Sequence, residues 1–156
     1  MKILLLTAHA SNPSWCDEAI AEYSKKLSFF ASFEIKKIKT KKIERDSAEL
    51  KRAEDSKALL AGIEKSDFVI LLDEKGKNFD SVSFAQKFQQ TIDQSHKKLV
   101  FVIGGPYGVD ETLRKRAQLT VSMSPWTFNH WIAQIALVEQ IYRAFTIIKG
   151  IPYHNI

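Results

Sequence analysis

Four polar side chains in the last quarter of the chain could handle a proton or an anion: His130, Arg143, Tyr153 and His154. An imidazole can accept a proton near neutral pH, and a guanidinium can face developing negative charge without losing its own proton. His130 falls where a long helix begins, and the helix dipole there lowers an imidazole pKa and keeps the ring uncharged. Arg143 sits four residues after Glu139, the spacing of a helical ion pair. Tyr153 and His154 follow Gly150 and Pro152, so if ordered they must pack back onto the body of the protein.

A second group offers backbone rather than side chains. Leu99-Val-Phe-Val-Ile103 runs straight into Gly104-Gly105-Pro106, and three of the six glycines lie between 104 and 108. A buried strand ending in Gly-Gly-Pro brings bare main chain to the carboxyl edge of a sheet, where open α/β folds bind ligands. The segment Met123-Ser124-Pro125-Trp126-Thr127-Phe128 is an apolar loop whose peptide groups suit a flat heterocycle such as adenine, with Leu72 and Trp126 as walls. No Lys-Ser/Thr of a phosphate-binding P-loop follows the glycines, and no G-x-G-x-x-G is present. ATP or NAD held in the usual manner is therefore not expected.

The elements that must position these groups alternate. Residues 2–7, 68–72 and 99–103 are apolar runs that read as buried strands, the second closed by Asp73 and a turn at Gly76. Residues 33–38 alternate as a strand with one wet face, and 119–123 form a last short strand. Helical spacing covers 17–27, 46–61 with Gly62 as its stop, 81–92, 111–117 and 129–148, with Asn129 placed to cap the last. Continuously apolar strands alternating with helices mean an α/β domain, a mostly parallel sheet with helices on both faces. No linker or repeat divides residues 1–156, so one domain is expected. The last helix is apolar around most of its circumference, which points to burial on most faces and hence to a homodimer.

The chain has 156 residues, a net charge of +5, 45% hydrophobic and 26% charged residues, the composition of a soluble globular protein. The single cysteine, Cys16, excludes an intrachain disulfide and fits the cytoplasm. No Cys/His spacing suggests a metal. The apolar run at 3–6 is too short for a signal peptide, and nothing approaches a membrane span.

Taken in order, Gly104-Gly105-Pro106-x-Gly108, Thr127-x-x-His130, Glu139-Gln-x-Tyr-Arg-Ala144 and Gly150-x-Pro-Tyr-His154 resemble the ribosomal RNA large subunit methyltransferase H family of the SPOUT class. The resemblance spans essentially the whole chain. It implies a C-terminal trefoil knot, a homodimer and S-adenosylmethionine as cofactor, contacted at Leu72, Gly104, Gly105 and residues 123–128. It implies methylation at N3 of pseudouridine 1915 in the 23S RNA of the assembled ribosome. His130, Arg143, Tyr153 and His154 would surround the target base, with one chain's cofactor loop meeting the other chain's tail. A relative retargeted to another RNA such as tRNA, or a cofactor-binding ribosome factor without catalysis, would carry much of the same pattern.

Three positions depart from the family. Asn129 stands where a proline is usual, Gln134 where arginine is common, and Asn155 where a basic residue usually follows the histidine. Two fewer cations mean weaker, less salt-dependent phosphate contacts. Compensation is expected from the lysines at 36, 37, 39, 41 and 42.

Overall fold

A computed structural model describes residues 1–9, 11–40 and 47–155. Five strands, β1 (Lys2–Thr7), β2 (Ser32–Lys37), β3 (Phe68–Asn78), β4 (Lys98–Ile103) and β5 (Leu119–Ser122), form one sheet in the order β2-β1-β4-β3-β5. Every pairing is parallel, as the apolar strand runs require. Among the described residues four helices connect them, α1 (Ser14–Leu27), α2 (Ala48–Leu60), α3 (Ser81–Asp93) and α4 (Glu111–Arg116), and α5 (His130–Lys149) follows β5.

The strand side chains alternate between two cores, as the two-residue repeat of a strand demands. Ile3, Leu5, Ile70, Leu99 and Phe101 pack with Leu27 of α1, Phe88 of α3 and Val138 and Ile141 of α5. Leu4, Leu6, Val69, Leu71, Val100 and Val102 pack with Leu59 of α2 and Leu113 of α4 on the other face. Helices thus cover both faces. Among the described residues no helix is long and apolar enough to cross a membrane.

One expectation needs correction. β3 does not close at Asp73: it continues to Asn78 past a register shift between Leu72 and Lys77. Gly76 makes this possible, because a Cβ there would lie 2.5 Å from the Val121 backbone of β5. The glycine lets two main chains pass too closely for any side chain. α2 stops where expected, with Ala61 ending the helix directly before Gly62. Residue 46 and Lys41 and Lys42 lie outside the described residues. Of the other lysines in that cluster, Lys37 pairs with Asp17 at 2.7 Å, while Lys36 and Lys39 are exposed.

α5 behaves as its ends predict. Asn129 caps it by accepting from the Trp131 N–H at 2.8 Å. Gly150 ends it at φ +64°, with the Ile151 N–H donating to the Thr146 carbonyl at 2.9 Å. This left-handed stop reverses the chain and sends the tail back over the helix.

Candidate active site

The carboxyl ends of β3, β4 and β5 open into a cleft of about 610 Å³, within the size range of small-molecule sites. Leu72, Gly104, Gly105, Met123, Ser124, Trp126, Thr127 and Phe128 all line it; Pro125 is exposed in the same loop and does not. The glycine turn closes through the Gly108 N–H on the Gly105 carbonyl at 2.9 Å, with Gly108 at φ +76°. A Cβ on Gly105 would come within 2.1 Å of the Asp55 Oδ2, so the turn can only be bare backbone there. The loop from Ser122 is braced by its own hydrogen bonds: Ser122 Oγ donates to the Ser124 carbonyl at 3.1 Å, and the Trp126 N–H to Ser124 Oγ at 2.9 Å. A smaller hollow of about 420 Å³ adjoins the cleft, sharing Leu72, Ser122, Met123 and Phe128 and lined more deeply by Ile70 and Phe101. Bare peptide groups beside an apolar recess suit a ligand with one flat apolar part and one polar part.

Beneath the glycine turn, α2 contributes a buried ion pair. The Asp55 side chain is wholly enclosed, with one oxygen on Lys51 Nζ and Oδ2 without a hydrogen-bond partner. At the cleft rim Arg52 donates to the Tyr107 carbonyl at 2.9 Å, and Arg114 pairs with Asp73 at 2.8 Å.

His130 lines the cleft at the first turn of α5. Its ring stacks on that of His9, with centroids 3.5 Å apart and planes 9° from parallel. Burial lowers the His130 pKa, so the direction expected at a helix start holds with desolvation as its cause. His9 follows β1 and also lines the cleft, with Nε2 buried and without a partner. Burial, then the repulsion its charged form would meet from a charged His130 ring, pushes it from the ordinary 6.5 down to about 4. Nothing in the sequence singled out His9: it stands in no recognisable spacing, and only the stack reveals it.

The His9 shift has a measurable consequence. The native state binds fewer protons than the unfolded chain while the pH lies between the two pKa values, so this stability is present above 6.5 and is lost as pH falls toward about 4. Urea titrations across that window are expected to show a shallower fall in unfolding free energy for His9→Phe than for the unsubstituted protein. Equal slopes would refute the assignment.

Arg143, Tyr153 and His154 gather at the other end of α5. Arg143 meets Glu139 Oε1 through Nη2 at 2.6 Å and Nε at 3.0 Å, and its guanidinium lies 4.7 Å from the Tyr153 ring centre. Tyr153 donates to the same Glu139 oxygen at 2.9 Å and lies 3.3 Å from the Tyr23 hydroxyl of α1. Burial and these hydrogen bonds raise the phenol pKa, so Tyr153 keeps its proton. His154 Nδ1 lies 3.1 Å from Arg143 Nη1. A guanidinium can only donate, so Nδ1 is the acceptor and is already engaged.

The structure therefore divides the four polar residues into His130 at the cleft and three at the tail. Thirteen residues of helix separate His130 from Arg143, about 20 Å along the axis at 1.5 Å per residue. Gln134 is wholly buried in an amide pair with Asn12, at 3.2 and 3.3 Å, and donates to the His130 carbonyl at 3.1 Å. It is a neutral clasp between α5 and the start of α1. No group of three or more metal-ligating side chains occurs among the described residues.

The family described as "Predicted SPOUT methyltransferase" matches residues 1–154. A protein of Bdellovibrio bacteriovorus named ribosomal RNA large subunit methyltransferase H is 47% identical over 156 residues, covering all of both chains. Proteins of the same name from Christiangramia forsetii and Streptococcus pneumoniae are 40% and 37% identical, each covering at least 99% of both chains. With a family match across nearly its whole length, a parallel sheet opening on a glycine-edged cleft, and relatives this similar end to end, the chain belongs to the SPOUT methyltransferases, in the ribosomal RNA large subunit methyltransferase H family.

Proposed function

We propose that residues 1–156 act as one domain that transfers methyl from S-adenosylmethionine to N3 of pseudouridine 1915 in 23S RNA of the assembled ribosome. In this reading the protein is a cytoplasmic homodimer with a C-terminal trefoil knot, and it needs no metal or membrane. The observation that carries the reading is the division of the polar residues. A cleft suited to the methyl donor and the cluster of Arg143 with the tail, about 20 Å apart along one helix, cannot meet within one chain, but they can meet across two. Ile132 on α5, Trp15 on α1 and Trp126 at the cleft mouth are 44%, 48% and 80% exposed, apolar surface that a second copy would cover.

S-adenosylmethionine supplies a methyl group on a sulfonium, and Leu72, Gly104, Gly105 and the loop at 123–128 would hold it. The bare Gly104–Gly105 backbone and the recess beyond Leu72 and Met123 fit a nucleoside with a charged amino-acid arm. Uracil-type N3–H is a weak acid, so the chain must stabilise the imide anion and remove a proton. Arg143, held by Glu139, supplies the fixed positive charge, and preorganised charge of this kind stabilises the anion without reorganisation. Tyr153 retains its proton and stiffens Arg143 through their shared carboxylate. His154 has its Nδ1 committed to Arg143 and positions the guanidinium. His130, uncharged at the cleft, takes the N3 proton.

Methyl transfer from radiolabelled S-adenosylmethionine to ribosomes lacking the modification tests this directly, with free large subunits and tRNA as comparisons. Label confined to large-subunit RNA of assembled ribosomes is the expected result. Label in tRNA, or donor binding without transfer to any RNA, would overturn it.

A further inference from the structure

His9 lies outside every motif that led to the family, yet it shares the cleft with the residues that do the chemistry. Its ring and that of His130 overlap face to face at 3.5 Å and 9°, a separation at which water cannot stand between them. Trp131 packs edge-on to His130, with centroids 4.9 Å apart. The Gly104 backbone and the Lys51–Asp55 pair lie near enough to His9 to act on its charge. The His130 peptide is fixed separately, because its carbonyl accepts from Gln134.

We propose that His9 is a positioning residue for methyl transfer: stacked on His130, it holds that imidazole in one plane at the mouth of the cleft and keeps water off one of its faces. The inference rests on the methyl-transfer reading above. Stacking fixes where the His130 nitrogens point, which decides whether a proton can pass to them along a hydrogen bond. Dryness on one face keeps the ring uncharged and able to accept that proton. Aromatic contact is enough for both effects, so a phenyl ring at position 9 should reproduce them and a methyl group should not.

The charged neighbours are few and come from every side. Asp55 and Lys51 approach His9 from α2 with opposite signs. Arg52 of α2, Glu74, Lys75 and the Asp73–Arg114 pair also line the cleft. On the α1 side Asn12 links Gln134 to Asp17, which Lys37 neutralises. The first turn of α5 holds no acidic residue. Removing the His9 ring therefore changes the hydration of His130 more than its charge surroundings.

The test is an NMR titration of His130, assigned by comparison with His130→Gln, alongside the pH profile of methyl transfer to ribosomes. His9→Ala is expected to raise the His130 midpoint toward the ordinary imidazole value. The acid limb of kcat should move by the same amount, with KM for S-adenosylmethionine changed less than about twofold. His9→Phe should keep the midpoint and the limb where the unsubstituted protein has them. His9→Asn serves the same comparison if the alanine variant does not fold. A midpoint unmoved in His9→Ala, or moved equally in His9→Phe, would overturn the proposal. A folded unsubstituted protein that transfers no methyl at any pH would overturn the methyl-transfer reading and the positioning role with it, whatever the midpoint does.

Discussion

Arg143→Ala is expected to lower methyl transfer to ribosomes by about 100-fold or more while leaving S-adenosylmethionine affinity within about twofold, since fixed charge aimed at a developing anion is typically worth that much. The guanidinium is held by Glu139 through two nitrogens and gives a third contact to His154. Its removal leaves Glu139, only 17% exposed at the side chain, facing the site with Tyr153 and Gln140 as its remaining partners. A carboxylate there repels the imide anion that the cation had favoured, so the loss exceeds that of one hydrogen bond. Arg143→Lys should recover little: an ammonium keeps the charge but cannot span Glu139 and His154 with a rigid fork. Single-turnover transfer and calorimetric donor binding, measured on the same preparations, separate the two effects. Equal losses in both would place Arg143 at the donor rather than at the base.

The second large effect is on stability. Asp55→Ala is expected to cost about 3–5 kcal/mol, the usual penalty for stranding one member of a buried ion pair. The Lys51 side chain is 15% exposed and, among the described residues, has Asp55 and the Thr40 hydroxyl as partners. The same substitution removes what Gly105 rests against, so the glycine turn should loosen and donor binding should weaken as well. Replacing both partners together, Lys51→Met with Asp55→Leu, should restore most of the stability, because buried pairs are commonly matched by apolar residues of similar volume. Donor binding would remain impaired, since a leucine branch does not reproduce the flat carboxylate against Gly105. Urea unfolding monitored by circular dichroism gives the first quantity and calorimetry the second. A single variant as stable as the unsubstituted protein would show that the pair is not what supports the turn.

These two sites were not equally readable in the sequence. Glu139 and Arg143 declare themselves by their spacing, and so does the helix that carries them. Lys51 and Asp55 have the same spacing, yet α2 looks like a solvated helix because charges surround them in sequence; burial there depends on the Gly105 turn, fifty residues later. The apolar runs of β1 and β4 fix their own identity, and the alternation of helices fixes the layers. The second half of β3 is different. Asp73-Glu-Lys-Gly-Lys-Asn78 has the composition of a loop, and only the neighbouring β5 backbone, admitted by Gly76, draws it into the sheet. His9 illustrates the same limit at the site: a lone histidine after a strand carries no periodic signal, and its meaning depends on a ring that arrives 121 residues later. Local pattern names elements; long-range contact decides which of their polar residues matter.

α5 carries the cleft histidine at its first turn and the tail's anchor near its last, and that joins distance to angle. Each added residue would advance the far end by about 1.5 Å and turn it by about 100°. Glu139 and Arg143 would then face a different neighbour, and Tyr153 would leave Tyr23. Substitutions along the helix can be absorbed by repacking, but an insertion or deletion cannot, because screw motion moves every tail contact at once. The helix is constrained in length more tightly than in composition, and the phase between its two ends is inherited whole.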